Sequence, residues 1–141
     1  MKINKIIERA NNILNTDNNR TVVFEFLEKY IKCEIICKQI IKKYLDLIGE
    51  EYEEETIPCS LNDIKKAISF YEINFNNPKL LTRLWSKTDK RGEKAVRVLR
   101  NKIVHELQES SLMEVIERKE ELHNDMDLFI TTILDSEINI F

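Results

Sequence analysis

His105 is one of only two histidines in this chain, and it follows an Arg-Asn pair in the run Val98-Leu99-Arg100-Asn101-Lys102-Ile103-Val104-His105-Glu106. Arginine brings a permanent, forked cation that matches phosphate oxygens. Histidine is the side chain that takes and gives a proton near neutrality. Together they could break a phosphodiester without a metal. At about 100° per residue, Arg97, Asn101 and His105 recur along one helical stripe. Arg100 projects elsewhere, at the flank of the apolar arc that holds Val104 and Leu107. A charge there must reach water over its neighbours or meet an anion at a groove or a subunit boundary. The plainer alternative is a structural Arg-Glu pair beside a surface histidine.

Charge around this run favours an anionic partner. The chain has 22 Lys+Arg against 25 Asp+Glu and a formal net charge of −3. Between Lys79 and His105, nine basic residues face only Asp89 and Glu93, so this window carries +7. Lys87, Lys90, Lys94, Arg97 and Lys102 are therefore candidate contacts to an RNA backbone, because a cationic patch concentrates a polyanion. The second histidine, His123, lies one turn from Lys119 in the last apolar pattern. The two are secondary candidates for the same cleft, although a packed histidine explains them as well. Glu50-Glu51 and Glu53-Glu54-Glu55 look like a solvated acidic run.

The elements that must position these groups are helical. A chain of 141 residues with 43% hydrophobic and 33% charged content can bury one core, and two Gly and two Pro leave little turn chemistry for a sheet. The expectation is an all-α, single-domain bundle of five to six helices covering residues 1–141. The first helix runs from Ile3 to about Leu14. The second, from Arg20 to about Ile48, carries a stripe of Val23, Leu27, Tyr30, Cys37, Ile41, Tyr44 and Ile48. Phe24, Ile31, Ile35 and Leu45 widen it, which predicts burial on more than one side. Gly49 suits its C-terminal cap. Ser60 caps a third helix, Asn77-Pro78 opens the next, and Arg91-Gly92 precedes the motif helix. Gln108-Glu109-Ser110-Ser111 breaks the pattern, and Ser111-Leu112-Met113-Glu114 reads as the capping box of a long closing helix. Cys33, Cys37 and Cys59 fit a reducing compartment and complete no zinc set. Nothing calls for a metal or cofactor, and no apolar run approaches the length of a membrane span. A cytoplasmic location is expected.

The R-N-x-x-x-H spacing, with a short break and a closing helix after it, resembles the active-site motif of the HEPN superfamily of all-α ribonucleases. The likeness is close over roughly the last third of the chain and generic before it. It implies metal-independent endoribonuclease chemistry, in which the ribose 2′-hydroxyl attacks the adjacent phosphorus and leaves a 2′,3′-cyclic phosphate. His105 would be the acid-base group, Arg100 would neutralise the phosphoryl oxygens, and Asn101 would orient His105 or hold phosphate. It also implies a homodimer through the motif helix and a toxin or anti-phage role, with an antitoxin or regulatory protein as a further partner. One branch of the superfamily has a Tyr two residues after the His. Leu107 stands there in this chain, so regulation through that Tyr is not implied. Some members keep the fold without cleavage, which leaves open a non-catalytic module that binds RNA, nucleotide or a protein through the same cleft.

Overall fold

The computed structural model describes residues 17–57, 59–87, 93–106 and 108–136. The helix expected over Ile3–Leu14 and the Arg91-Gly92 break lie outside them. The described residues form an all-α bundle: α1 (Asp17–Ile48), α2 (Leu61–Phe70), α3 (Leu80–Trp85), α4 (Val96–Glu106), α5 (Glu109–Glu117) and α6 (Lys119–Asp135), with a short 3₁₀ turn at Glu54–Thr56. The 32-residue α1 is the spine, packing against α2, α4, α5 and α6.

The ends of these helices follow from local chemistry. Gly49 takes φ +75°, and the amides of Gly49 and Glu50 close back on the carbonyls of Asp46 (3.3 Å) and Leu45 (3.0 Å). That is a Schellman cap, which satisfies two carbonyls the helix leaves open. Ser60 caps α2 by accepting the Asp63 amide at 3.1 Å. Asn77 Oδ1 accepts the Lys79 amide at 3.0 Å, leading into the short α3.

Val23, Phe26, Tyr30, Cys33, Cys37, Ile40 and Ile41 line the core face of α1, meeting Leu80, Leu84 and Trp85 from α3 and Leu122, Met126, Phe129 and Ile133 from α6. Trp85 is the hub: its ring lies 5.6 Å from Phe129 edge-on and 6.0 Å from Tyr30. Such aromatic contacts add to the burial of their area.

Two expectations are corrected here. First, α1 is not buried on more than one side. Phe24, Ile31 and Ile35 are 57%, 54% and 48% exposed. At about 100° per residue they sit roughly 160° from the middle of the buried face, beyond the reach of the helices that pack on it. Second, the capping box does not form and the closing helix is not continuous. The helix resumes earlier, at Glu109, so Ser111 lies inside α5, fully buried, with its hydroxyl donating to Gln108 Oε1 at 2.5 Å. Glu114 turns instead to the Lys94 amide (3.0 Å) and to Arg118 Nη1 (2.5 Å). Arg118 departs from helical geometry (φ −99°, ψ 18°) and separates α5 from α6. Its guanidinium holds the joint, donating also to the Lys94 carbonyl at 2.9 Å and to Glu121. Lys94 from before α4, and Arg118 one turn on, outcompete the box because they neutralise a Glu114 charge that is mostly out of water.

Candidate functional site

Helix α4 buries Val96, Leu99 and Ile103 against the bundle. The rest of its circumference carries Arg100, Val104, Arg97, Asn101 and His105, which follow one another around about 140°. Arg100 begins this arc beside α1. Its guanidinium carbon lies 5.3 Å from the centre of the Tyr30 ring, and Nη1 donates to Asn101 Oδ1 at 2.9 Å. Tyr30 is 3% exposed. Burial, and then its contact with Glu34, push its hydroxyl well above the ordinary phenol range, so it stays neutral. Arg100 is thus half-buried on two neutral partners.

The other cations near this helix are differently engaged. Arg83 grips Asp125 with two bonds, Nε–Oδ2 at 2.9 Å and Nη2–Oδ1 at 2.6 Å. Lys94 pairs with Glu114 at 3.5 Å, and Lys102 with Glu106 at 3.1 Å. Asp125, Glu114 and Glu106 all lie outside the window that looked so basic in sequence, and folding brings them in as counter-ions. Arg97 and Arg100 have no carboxylate within ion-pair distance among the described residues. Arg97 donates to the Cys59 carbonyl at 2.5 Å. Glu34, which contacts Tyr30, pairs with Lys38 at 3.3 Å.

Of the residues picked from sequence, the structure therefore gathers Arg100, Asn101 and Arg97 on one surface of α4. His105 stands exposed in the last turn of the same helix. Lys94 and Lys102 are tied to acids, Lys87 is exposed just past α3, and Lys90 lies outside the described residues. Asn101 offers its oxygen to Arg100, on the side of the arc away from His105. Lys119 and His123 are in a different place: with Asn18, Thr21, Glu25 and Asn124 they line a groove of about 430 Å³ between α1 and α6. Burial, then Lys29, hold the His123 pKa below its ordinary value. Tyr30 and Arg118 are the participants that the sequence did not flag. Tyr30 falls on the apolar stripe of α1 and looks like any core residue; only the packing of α4 shows that its ring seats Arg100.

Near Arg97, burial raises the Cys37 thiol, while the neighbouring Cys37 lowers that of Cys59. No group of three His, Cys, Asp or Glu among the described residues is placed to hold a metal, and no described helix is long and apolar enough to cross a membrane. Compared with protein-family models, curated proteins and solved structures, the chain matches none.

Proposed function

We propose that this chain is a metal-independent endoribonuclease of the HEPN kind. The observation that carries this reading is Arg100: a half-buried guanidinium whose partners among the described residues are an amide oxygen and a neutral ring, on the same helix as an exposed histidine. Neutral partners orient the guanidinium but leave its charge uncompensated. A phosphate in this position would supply the missing anion and gain a charge-assisted, forked pair of bonds. Arg97, one turn away, would add a second cation to the same strand. In the reaction the 2′-oxygen bonds to phosphorus as the P–O5′ bond breaks. One group must accept the 2′ proton and another must deliver a proton to the departing 5′-oxygen. His105 serves one of these steps, and Arg100 offsets charge on the non-bridging oxygens. Toxin or anti-phage activity, held in check by a regulatory protein, fits a nuclease with so simple a site.

A second reading is favoured by the angle between the two groups. Arg100 and His105 are separated by about 140° around α4, and the groove described above is lined by neither. A helical module that binds RNA without cutting it would need only Arg97 and Arg100.

Incubating the protein with generic RNA in excess EDTA separates the readings. The nuclease should cut, leave cyclic phosphate ends, and lose about 100-fold or more of its rate in His105→Ala while binding RNA as before. No cleavage by the wild type under any condition, with RNA bound through Arg100, would establish the binding module instead.

A further inference from the structure

All three cysteines are free, and two of them are neighbours where α1 meets the start of α2. Cys37 is fully buried on the core face of α1. Cys59 is half-buried, packs against the same core, and stands directly before Ser60, the cap of α2. Cys33, one turn earlier on α1, engages α6 instead, its thiol donating to the Met126 carbonyl at 3.7 Å. Helix α4 reaches the pair from its own side: Arg97 Nη1 donates to the Cys59 carbonyl at 2.5 Å. The neighbouring Cys37 lowers the Cys59 thiol; burial opposes this, and Arg97 adds to it. A buried cysteine by itself is an inert small hydrophobe. A thiol with access to solvent, a cation close by and a second cysteine at hand has the surroundings of a redox-responsive one.

We propose that Cys37 and Cys59 are a reversible dithiol–disulfide pair oxidised by peroxide, and that closing it changes how Arg97 is held. Access sets the order of events. Peroxide meets the half-buried Cys59 before the fully buried Cys37. The Cys59 thiolate attacks one peroxide oxygen, the O–O bond breaks, and hydroxide leaves a sulfenic acid behind. The Cys37 sulfur then attacks the Cys59 sulfur. The S–O bond breaks as S–S forms, and the hydroxyl departs with the Cys37 proton as water. The hydroxide of the first step takes up the proton that Cys59 gave away, so two thiols are oxidised and one peroxide becomes two waters. A small dithiol reverses the change by exchange. Disulfides of this transient kind are the ones a reducing compartment allows.

The effect on Arg97 follows from the carbonyl that holds it, and rests on the proposed function only in making Arg97 a contact to RNA. Bonded sulfurs sit closer than two thiols in contact, so oxidation draws Cys59 towards α1. Helix α1 is the spine of the bundle, whereas Cys59 precedes the cap of α2 and lies in no helix. Cys59 is therefore the one to move, and its carbonyl moves with it. Arg97 keeps its charge and loses a fixed acceptor. A phosphate must then order the long side chain itself, which weakens RNA binding by about 2- to 10-fold.

Mass spectrometry of the whole chain after treatment with hydrogen peroxide tests the pair. The wild type should lose the mass of two hydrogens, yield one peptide linking Cys37 to Cys59, and keep Cys33 as a free thiol. Dithiothreitol should reverse the change. Cys59→Ser should form no disulfide and leave Cys37 reduced. Cys37→Ala should stop at a sulfenic acid on Cys59 that dimedone traps; if that core variant fails to fold, the linked peptide of the wild type decides alone. Cys59 oxidised to sulfinic acid beside a free Cys37 overturns the pair. So does a disulfide through Cys33 or between two chains, and so does a wild type that peroxide leaves unchanged. RNA affinity is scored separately, on the oxidised and reduced wild type and on Cys59→Ser. The stated weakening in the wild type, absent from Cys59→Ser, supports the link to Arg97. Equal affinities overturn that link, and a disulfide in a chain that binds no RNA removes the proposed function and keeps the pair.

Discussion

Replacing Arg83 by methionine should unmask how much of the apparent basic patch is structural. Arg83 closes two bonds of 2.6 and 2.9 Å on Asp125, which is only 6% exposed and sits on α6 beneath the short α3. Methionine keeps the length of the side chain and leaves the carboxylate buried with no cation. Breaking a buried pair from one side costs about 3–5 kcal/mol. The Arg83 side chain is itself 32% exposed, so water reaches part of the vacated position and screens the charge; the discounted expectation is about 2–3 kcal/mol. For a domain of this size that corresponds to a melting temperature roughly 6–10 °C lower. Urea unfolding followed by circular dichroism gives the free energy and shows from its slope whether the same surface unfolds. The double variant Arg83→Met/Asp125→Leu should recover to within about 1 kcal/mol of the wild type, since a matched apolar pair removes the orphaned charge. A single variant within about 0.5 kcal/mol of the wild type would refute the argument that this pair is internal and that Arg83 is withheld from RNA.

Three further outcomes are expected. Arg97→Gln and Arg100→Gln should each lower the slope of log affinity for RNA against log salt by about 1, whereas Lys102→Gln, already neutralised by Glu106, should barely change it; equal slopes for all three would mean the patch acts as a diffuse surface. Iodoacetamide should label Cys59 first. Cys33, pushed up to about 12 chiefly by burial, and Cys37, raised further, should resist until the protein unfolds, as peptide mass mapping of timed samples would show. Because burial lowers the folded-state pKa of His123 below its ordinary 6.5, its contribution to stability is present above that value and lost as pH falls through the lowered one. Stability should therefore decline from about pH 6.5 downward more steeply in the wild type than in His123→Gln, and identical profiles would count against it.

The helical architecture was legible because its signals are local. Ser60 three residues before Asp63, Gly49 after a long apolar stripe, and Asn77-Pro78 before Leu80 each specify a helix end through a backbone bond that residues nearby can make. What the sequence hid was set by distant partners. Ser111 and Glu114 have the spacing of a capping box, yet Glu114 serves the Lys94 amide and Arg118. The periodicity of Phe24, Ile31 and Ile35 matches that of buried residues, and only the placement of α4 and α6 shows that they stay exposed. The basic window counted charges along the chain and could not see Asp125 and Glu114 arriving from other helices. Arg100 stood out by its neighbours in sequence, but its lack of a carboxylate partner among the described residues is a property of three dimensions.

Tyr30 has a consequence for how this protein can change. Its ring lies 6.0 Å from Trp85 at the centre of the core and carries the Arg100 guanidinium at 5.3 Å. Under the proposed nuclease function, one side chain is inherited under two selections, for packing and for chemistry. A substitution at Trp85 or Phe129 that merely repacks the interior would then tilt the platform under Arg100 and register as a defect in the proposed activity. Second-site suppressors of such a defect should arise within the apolar interior, away from the surface of α4. A lineage without the proposed chemistry would be released from only half of the constraint, since Tyr30 must still fill its place beside Trp85. The tyrosine would outlast the arginine it supports.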